Sequence, residues 1–503
     1  MTSFMQKALR SLLIVSALST TALASEYIVK YKSPVAFTSL ATTDVQVKNH
    51  HELGQYYVVD IKEGQQIQGL IHLFSNPNVD YVVPNARMHA FNVPVSSSAT
   101  QTQWAISKIQ AEKAWQRAGN KGSRKVVVAV IDTGADFKHK NLAPNMITGY
   151  DFINNNDNPM DITGSENPGH GTHCSGIIGA TGVIEGGTVG ISPEVSIMPL
   201  RFLDQNGGGN LDNAIKAIDY AIEKHVDVIS ASWGAPVSAK EAQPLIEAIA
   251  RAEKAGVMFV VAASNDGKNN DTFNVYPANA GLSNMISVAA SSSNDSKPSW
   301  SNYGRTKVNL ASPGEGIMST LPKDKYGNLS GTSMATPLVA GLVALVKAQD
   351  ASLKPTEIRA LLQASADKVS IQTACDCRVN AFNAIDTVIS KKMFISPYAT
   401  TLAKGEQTQF EAVYGKAPLT FTSSNSSVGT IDNAGNFTAT GGGDTTVTVT
   451  DATGVTATSY KIYVKGGKAD EPGQPEGSCV FGNPKICAII CETFPTLSSC
   501  QQN

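Results

Sequence analysis

The chain reads as an α/β protein built on a mostly parallel, doubly wound sheet. A small α+β region precedes the sheet and an all-β sandwich follows it. Three observations predict this. Unbroken apolar runs recur near Val126, Val195, Val226, Val257, Met285 and Val308, and runs apolar on both faces read as strands buried in a parallel sheet. Helical stretches lie between them, with Leu211, Ile215, Ile218 and Ile222 on one face of one and Leu245, Ile249 and Ala252 on one face of another. Such alternation covers a sheet on both sides. Beyond Lys391 the pattern becomes period-two, as in residues 445–450, with turn signals at 432–435 and 441–443. Short strands at that spacing read as a sandwich.

The remaining elements follow in order. Residues 26–31, 56–61 and 79–85 read as strands, and Ile67, Leu70, Ile71 and Phe74 mark a helix over 65–74. Residues 104–115 open the α/β region, and residues 353–364 form its closing helix, with Pro355 in the first turn. Residues 466–478, with two prolines, read as a flexible linker.

Composition bounds the function. At 503 residues the chain exceeds one ordinary domain, and 42% hydrophobic residues supply ample core. A net charge of −2 with 16% charged residues gives no electrostatic reason for a nucleic-acid partner. Lys7 and Arg10, the apolar run 12–18 and Ala22-Leu23-Ala24 predict a signal peptide and hence secretion. The run is too short to span a bilayer. Of the seven cysteines, Cys375 and Cys377 lie close together, and Cys479, Cys487, Cys491 and Cys500 crowd the tail. Exported, these six can form three bridges of unspecified pairing, with zinc as the competing reading of the tail. Cys174 is left over as a buried thiol.

Four segments carry chemistry. Gly331-Thr332-Ser333-Met334-Ala335-Thr336-Pro337 precedes a small apolar run to Val346 and puts a serine at the mouth of a buried helix. There unpaired N–H groups favour negative charge. The strand 125–131 ends on Asp132-Thr133-Gly134, at the carboxyl edge where open α/β sheets place their sites. Gly169-His170-Gly171-Thr172-His173-Cys174 sets a histidine in the first turn of a close-packing helix. A further buried strand, 257–263, ends on Ser264-Asn265.

Together these motifs resemble the subtilisin-like serine peptidases, over roughly residues 101–389, in that family's order of Asp, His and Ser. Ser232-Trp233-Gly234, Tyr276-Pro277-Ala278 and Ser301-Asn302-Tyr303-Gly304 are weaker matches. The resemblance implies that Ser333 attacks the scissile carbonyl, that His170 is its base and that Asp132 orients the imidazole. Asn265 and the Ser333 N–H would stabilise the oxyanion. It implies no cofactor for the chemistry. Substrate would add as a β-strand, with Gly207-Gly208-Gly209 on one side and 226–234 on the other, although Gly207–Gly209 also reads as a plain loop. Ser232, Trp233 and Gly234 would form one wall of the S1 pocket and Ala262, Ala263 and Ser264 the other, suiting an apolar P1. Ser264 stands where the family usually has glycine, and Asp266 follows at the rim.

The resemblance also reads residues 25–92 as an inhibitory propeptide, with a permanently attached module as the alternative. Residues 93–103 would be the processing linker, 104–390 the catalytic domain, 393–465 a bacterial Ig-like group 2 module and 479–503 a cysteine-rich tail after a signal peptide at 1–24. The implied product is a secreted, self-processing monomer acting on proteins or peptides, with its propeptide as inhibitor. An adhesin or binding protein on a degenerate scaffold is the competing class. Calcium is an open expectation at residues 151–161, rich in carboxylates and amides.

Overall fold

The structure, a computed structural model, describes residues 25–32, 42–51, 54–91 and 103–466. The signal-peptide segment, most of the linker before Gln103 and the four tail cysteines lie outside the described residues. The described chain falls into two compact units, one comprising residues up to 86 with 238–244 and the other 87–237 with 245–466.

The first unit holds β1 (Glu26–Tyr31), β2 (Val45–His51), β3 (Tyr56–Ile61), α1 (Gln66–Ser75) and β4 (Val79–Pro84). Its sheet order is β2-β3-β1-β4, antiparallel throughout. The helix lies where its apolar spacing predicts, but its buried stripe runs through Gly69, Leu70 and Leu73. A Cβ on Gly69 would meet Ile61 Cγ2 at 2.5 Å, so the bare backbone is what lets the helix close on the sheet. Strand β2 was not anticipated, because VQVKNHH carries too few apolar residues to show alternation.

The second unit is built on nine strands in the order β17-β18-β14-β13-β12-β10-β6-β8-β7. The strands and hairpins of its catalytic part are β5 (Arg87–Ala90), β6 (Val127–Asp132), β7 (Tyr150–Asp151), β8 (Ser196–Arg201), β9 (Gly208–Asn210), β10 (Val228–Ala231), β11 (Trp233–Gly234), β12 (Met258–Ala262), β13 (Met285–Ser291), β14 (Leu310–Pro313), β15 (Ile317–Leu321), β16 (Lys325–Leu329), β17 (Asp367–Lys368) and β18 (Cys377–Arg378). All neighbours in the nine-stranded sheet are parallel except β17 with β18. Every residue of β12 and β13 is buried, as expected for strands covered on both faces.

Six predicted strands appear as β6, β8, β10, β12, β13 and β14. The two-residue strands were not legible, since two residues carry no period, and neither was the β15–β16 hairpin, whose KYGNL strand lacks apolar alternation. Helices α2 (His170–Gly179), α3 (Leu211–Glu223), α4 (Thr332–Gln349), α5 (Pro355–Ala364) and α6 (Ala381–Ile389) pack around the sheet. Residues 332–347 of α4 are buried without a break, so this helix has no solvent face. It shares one core with Cys174, Ile177 and Ile178 of α2 and with Val128, Val130, Val260 and Ile286 of the sheet.

The module after Lys391 consists of short strands in small, mostly antiparallel sheets around a separate core of Phe410, Phe421, Phe437, Val447, Val449 and Ile462, consistent with an Ig-like sandwich. Val447 and Val449 point inward while Thr448 and Thr450 stay partly exposed, as the period-two pattern requires. Its first strand, Phe394–Ser396, and the strand paired with it, Glu411–Val413, are joined to the catalytic part: Phe394 and Val413 belong to the main core. Asp350, after α4, accepts from Lys391 Nζ at 2.6 Å and Tyr414 OH at 2.8 Å. Burial works against the Asp350 charge, but these donors and Ser352 hold its carboxyl below the usual range. Cys375 and Cys377 are bridged, one of the pairs the cysteine count allowed. No helix among the described residues is long and apolar enough to cross a membrane.

Because Phe394 fills the core of the catalytic part, Phe394→Ala is expected to cost about 3–5 kcal/mol. Denaturant unfolding monitored separately on the two modules should show both transitions moving down.

Candidate active site

Asp132 ends β6 and His170 begins α2. Asp132 Oδ1 accepts from His170 Nδ1 at 2.7 Å and from the Thr133 N–H at 2.7 Å, and both side chains are fully buried. This contact requires a helix start to press against a strand end. A Cβ on Gly171 would meet Gly134 O at 2.0 Å and Asp132 Cβ at 3.2 Å, and the Gly171 N–H donates to Thr133 Oγ1 at 2.9 Å. Glycine is the residue that permits the approach.

A second carboxylate, not singled out in the sequence, secures the same helix. Asn167 Oδ1 accepts the His170 N–H at 2.8 Å and the Gly169 N–H at 3.0 Å, and its Nδ2 donates to Asp161 at 2.9 Å. Asp161 Oδ2 in turn accepts from Thr172 N at 2.9 Å and Thr172 Oγ1 at 2.6 Å. These bonds satisfy first-turn donors that the helix cannot pair itself. Burial raises the Asp161 pKa, with the Thr172, Asn167 and Thr133 bonds opposing it. At His170 burial pushes the pKa down, yet the charge and hydrogen bond of Asp132 and the charge of Asp161 prevail and hold it above 6.5.

Ser333 lies in the first turn of α4. Its Oγ donates to Phe91 O at 2.9 Å and Ser232 O at 3.1 Å. His170 Nε2 is buried without a hydrogen-bond partner, so hydroxyl and imidazole are not bonded in this state. Pro337 sits in the second turn of α4. Lacking an N–H, it leaves the Ser333 carbonyl free of the helix ladder. Ser232 Oγ at 3.0 Å and Cys174 Sγ at 3.4 Å donate to that carbonyl instead. Ser232 therefore touches the serine from both of its polar sides rather than acting as a simple pocket wall. The Cys174 thiol is buried and its pKa is driven well up by that burial.

Asn265 follows β12. Thr332 N and Thr332 Oγ1 each donate to its Oδ1 at 2.9 Å, which turns Nδ2 toward Phe91 O at 2.7 Å. A Cβ on Gly331 would come within 3.1 Å of both Asn265 Nδ2 and Phe91 O, so the glycine leaves room for this carbonyl. The loop is fixed by Asn302, whose Oδ1 accepts from Asp266 N and Lys268 N at 2.9 Å each. Thr332 and Asn302 stood inside motifs noted in the sequence, but only the fold gives them these contacts.

The segment Arg87–Phe91 lies in the cleft. Strand β5 is the middle of a three-stranded antiparallel sheet, with His89 opposite Gly208 of β9 and Ala90 opposite Trp233 of β11. Phe91 N donates to Ser232 O at 3.3 Å, Met88 is fully buried, and Arg87 pairs with Asp204 at 2.6 Å. A Cβ on Gly234 would meet Phe91 Cζ at 2.6 Å, so Gly234 borders the phenyl ring. Trp233 differs from expectation. Its indole donates to Ile131 O at 2.8 Å and packs on Phe202 at 4.8 Å, so it meets the cleft by backbone alone. Ala262 and Ala263 are fully buried at the end of β12. Ser264 takes φ 90°, a left-handed value a glycine would adopt without strain, and its Oγ donates to Asp266 at 2.7 Å.

His173, buried one turn along α2, bonds Gly327 O through Nε2 at 3.0 Å, and burial pushes its pKa down to about 3. Two of the three carboxylates of 151–161, where calcium was expected, are already engaged within the chain. Asp151 is taken by Arg201 at 2.6 Å and by Ile153 N and Asn154, and Asp161 by Thr172 and Asn167. Among the described residues the cluster of possible metal ligands within mutual reach is Asp132, His170 and Cys174, which belongs to the site itself.

The model of the subtilase family matches residues 123–409, and that of the bacterial Ig-like domain (group 2) matches residues 390–462. Thermitase of Thermoactinomyces vulgaris is 38% identical over 285 residues, covering 56% of this chain and 95% of the relative. The thermophilic serine proteinase of Bacillus sp. (strain AK1) is 36% identical over 315 residues, 62% of this chain and 74% of the relative. Subtilisin E of Bacillus subtilis (strain 168) is 33% identical over 295 residues, 58% of this chain and 72% of the relative. With a parallel sheet, a carboxylate–imidazole pair and a helix-borne serine matching that family over most of its catalytic part, the chain belongs to the subtilase family of serine endopeptidases.

Proposed function

We propose that the chain is the precursor of a secreted endopeptidase that cuts itself after Phe91. The observation carrying this reading is the placing of the Phe91 carbonyl oxygen, 2.7 Å from Asn265 Nδ2 and 2.9 Å from Ser333 Oγ, at the end of a strand paired on both sides. A main-chain carbonyl held by an amide donor beside a hydroxyl is a substrate pose. Residues 25–91 then act as the intramolecular inhibitor, and the processing segment begins at Asn92. The signal-like residues 1–24 and the Cys375–Cys377 bridge support an oxidising, extracellular destination.

In this mechanism Ser333 Oγ turns from Ser232 O toward His170 Nε2, gives up its proton there and bonds to the carbonyl carbon. The oxygen, now negative, is met by Asn265 Nδ2 and by the Ser333 N–H, a first-turn donor of α4. Asp132 keeps the imidazole in the tautomer with Nδ1 protonated and stabilises its cation. His170 then passes the proton to the departing amine, leaving an acyl-enzyme that water hydrolyses by the same route. The space beside Gly234 suits an aromatic or other apolar P1 within a broad specificity. A binding protein on a decayed scaffold is disfavoured, because such a protein has no reason to keep Thr332 orienting Asn265.

Ser333→Ala is expected to accumulate full-length precursor, and the wild-type secreted form to begin at Asn92 by N-terminal sequencing. A mature N-terminus far from residue 92 overturns the Phe91 assignment. Gly234→Ala should lower kcat/KM for P1 Phe peptides by at least tenfold more than for P1 Ala peptides, since the added methyl intrudes on the ring.

The pH dependence has two signs. Activity needs neutral His170, so kcat/KM should rise with pH through a midpoint above 6.5. The stability that charged His170 contributes is present below 6.5 and is lost as pH rises through its higher folded pKa. His173 acts oppositely. Unfolded, it takes a proton near 6.5, but folded only near 3, so stability should fall as pH drops from 6.5 toward 3. His173→Gln should flatten the acid limb in urea-unfolding midpoints measured across that window.

A further inference from the structure

A cavity of about 450 Å³ opens between the catalytic part and the Ig-like module, with none of Asp132, His170, Asn265 and Ser333 in its lining. It is lined by five cationic side chains, Arg305, Lys307, Arg359, Lys461 and Lys465, and by two acidic ones, Asp376 and Glu406. Both acids are already engaged: Asp376 accepts from Tyr460 OH at 2.7 Å and Glu406 from Ala403 N at 2.8 Å. Two of the cations are engaged as well. Arg305 pairs with Asp444 and lies 4.3 Å over the Tyr463 ring, and Arg359 donates to Leu282 O and Met285 O at 3.2 and 3.3 Å.

Lys307, Lys461 and Lys465 differ, although Lys461 is exposed and lies 5.9 Å over the Tyr460 ring. Among the described residues none of the three has a carboxylate within ion-pair distance. The nearest partner of Lys307 Nζ is a carbonyl, Asn279 O, at 3.5 Å. Lys307 and Lys465 are half-buried, so water shields them only in part. Burial lowers the Lys307 pKa and the Lys465 charge lowers it further, with Asp271 opposing. Like charges facing one cavity repel unless an anion lies between them. Hydroxyl and amide groups complete the lining, from Thr306, Thr373, Thr400, Thr401, Asn309 and Gln372. Several donors lining one cavity match an oxyanion of multiple charge better than a single carboxylate.

We infer that this cavity binds a phosphate- or sulfate-type oxyanion, whose charge clamps Lys307 of the catalytic part to Lys461 and Lys465 of the Ig-like module. A volume of about 450 Å³ leaves room for an organic ester carrying that group.

The test is calorimetric titration of inorganic phosphate, and separately of inorganic sulfate, into full-length Ser333→Ala protein at fixed ionic strength. Saturable one-site binding is expected, weakened at least tenfold by Lys307→Met and by Lys465→Met. Preference between the two ions identifies the ester class. Lys465→Glu supplies the missing negative charge within the chain. It should abolish phosphate binding and raise the thermal midpoint measured without phosphate. Absence of saturable binding to either ion, or binding unchanged in the Lys307→Met/Lys465→Met double variant, overturns the proposal. Equal loss of binding with an unfolded circular-dichroism spectrum is excluded as support. Lys465→Glu then decides, because a lowered midpoint in that variant counts against the site.

Discussion

The site depends on one close contact, that of a buried carboxylate with a buried imidazole across two segments 38 positions apart. Neither group is tolerable alone at that depth. The contact forms only because Gly171 carries no side chain where it meets Gly134 O and because Thr133 supplies the oxygen that receives its N–H. Asp161 and Asn167 then hold the helix start from the other side. The parallel sheet has a plain role in this. It sets β6 beside β8 and β10, so that Asp132 emerges at a carboxyl edge shared with Ser232 and Asn265.

How far the sequence reveals this can be stated element by element. Interior strands were legible because burial on both faces demands continuous apolar runs, as in MFVVA of β12. Edge strands such as β7 and β17 were not, because their pairing is decided by neighbours distant in the chain. Asp132, His170, Asn265 and Ser333 stood out through their places at strand ends and helix starts. Phe91 did not, because nothing local in Ala90-Phe91-Asn92 reveals that the chain threads between β9 and β11. Trp233 was misjudged for a related reason. Sequence locates a residue on a strand but does not say which face its indole takes, and here Ile131 O and Phe202 draw it inward.

The Ig-like module illustrates a different limit. Its alternation was readable, and its own core follows from it. Its attachment was not. Phe394 enters the core of the catalytic part, while Tyr414 and Tyr460 donate to Asp350 and Asp376, residues that read as ordinary loop acids in isolation. The module is thus tied by a buried ring and by hydrogen bonds to carboxylates, rather than by a tether alone.

Pro337 has a further consequence. By withdrawing one rung from α4, it lets two other chain segments, at Cys174 and Ser232, grip the main chain at Ser333. In the proposed mechanism Ser333 is thereby pinned like a pivot whose arm alone swings. Acylation and release, as proposed, would then ask for a single side-chain torsion while the spine stays still, so that a bond made and broken at its tip would pass little recoil to the long buried helix behind it.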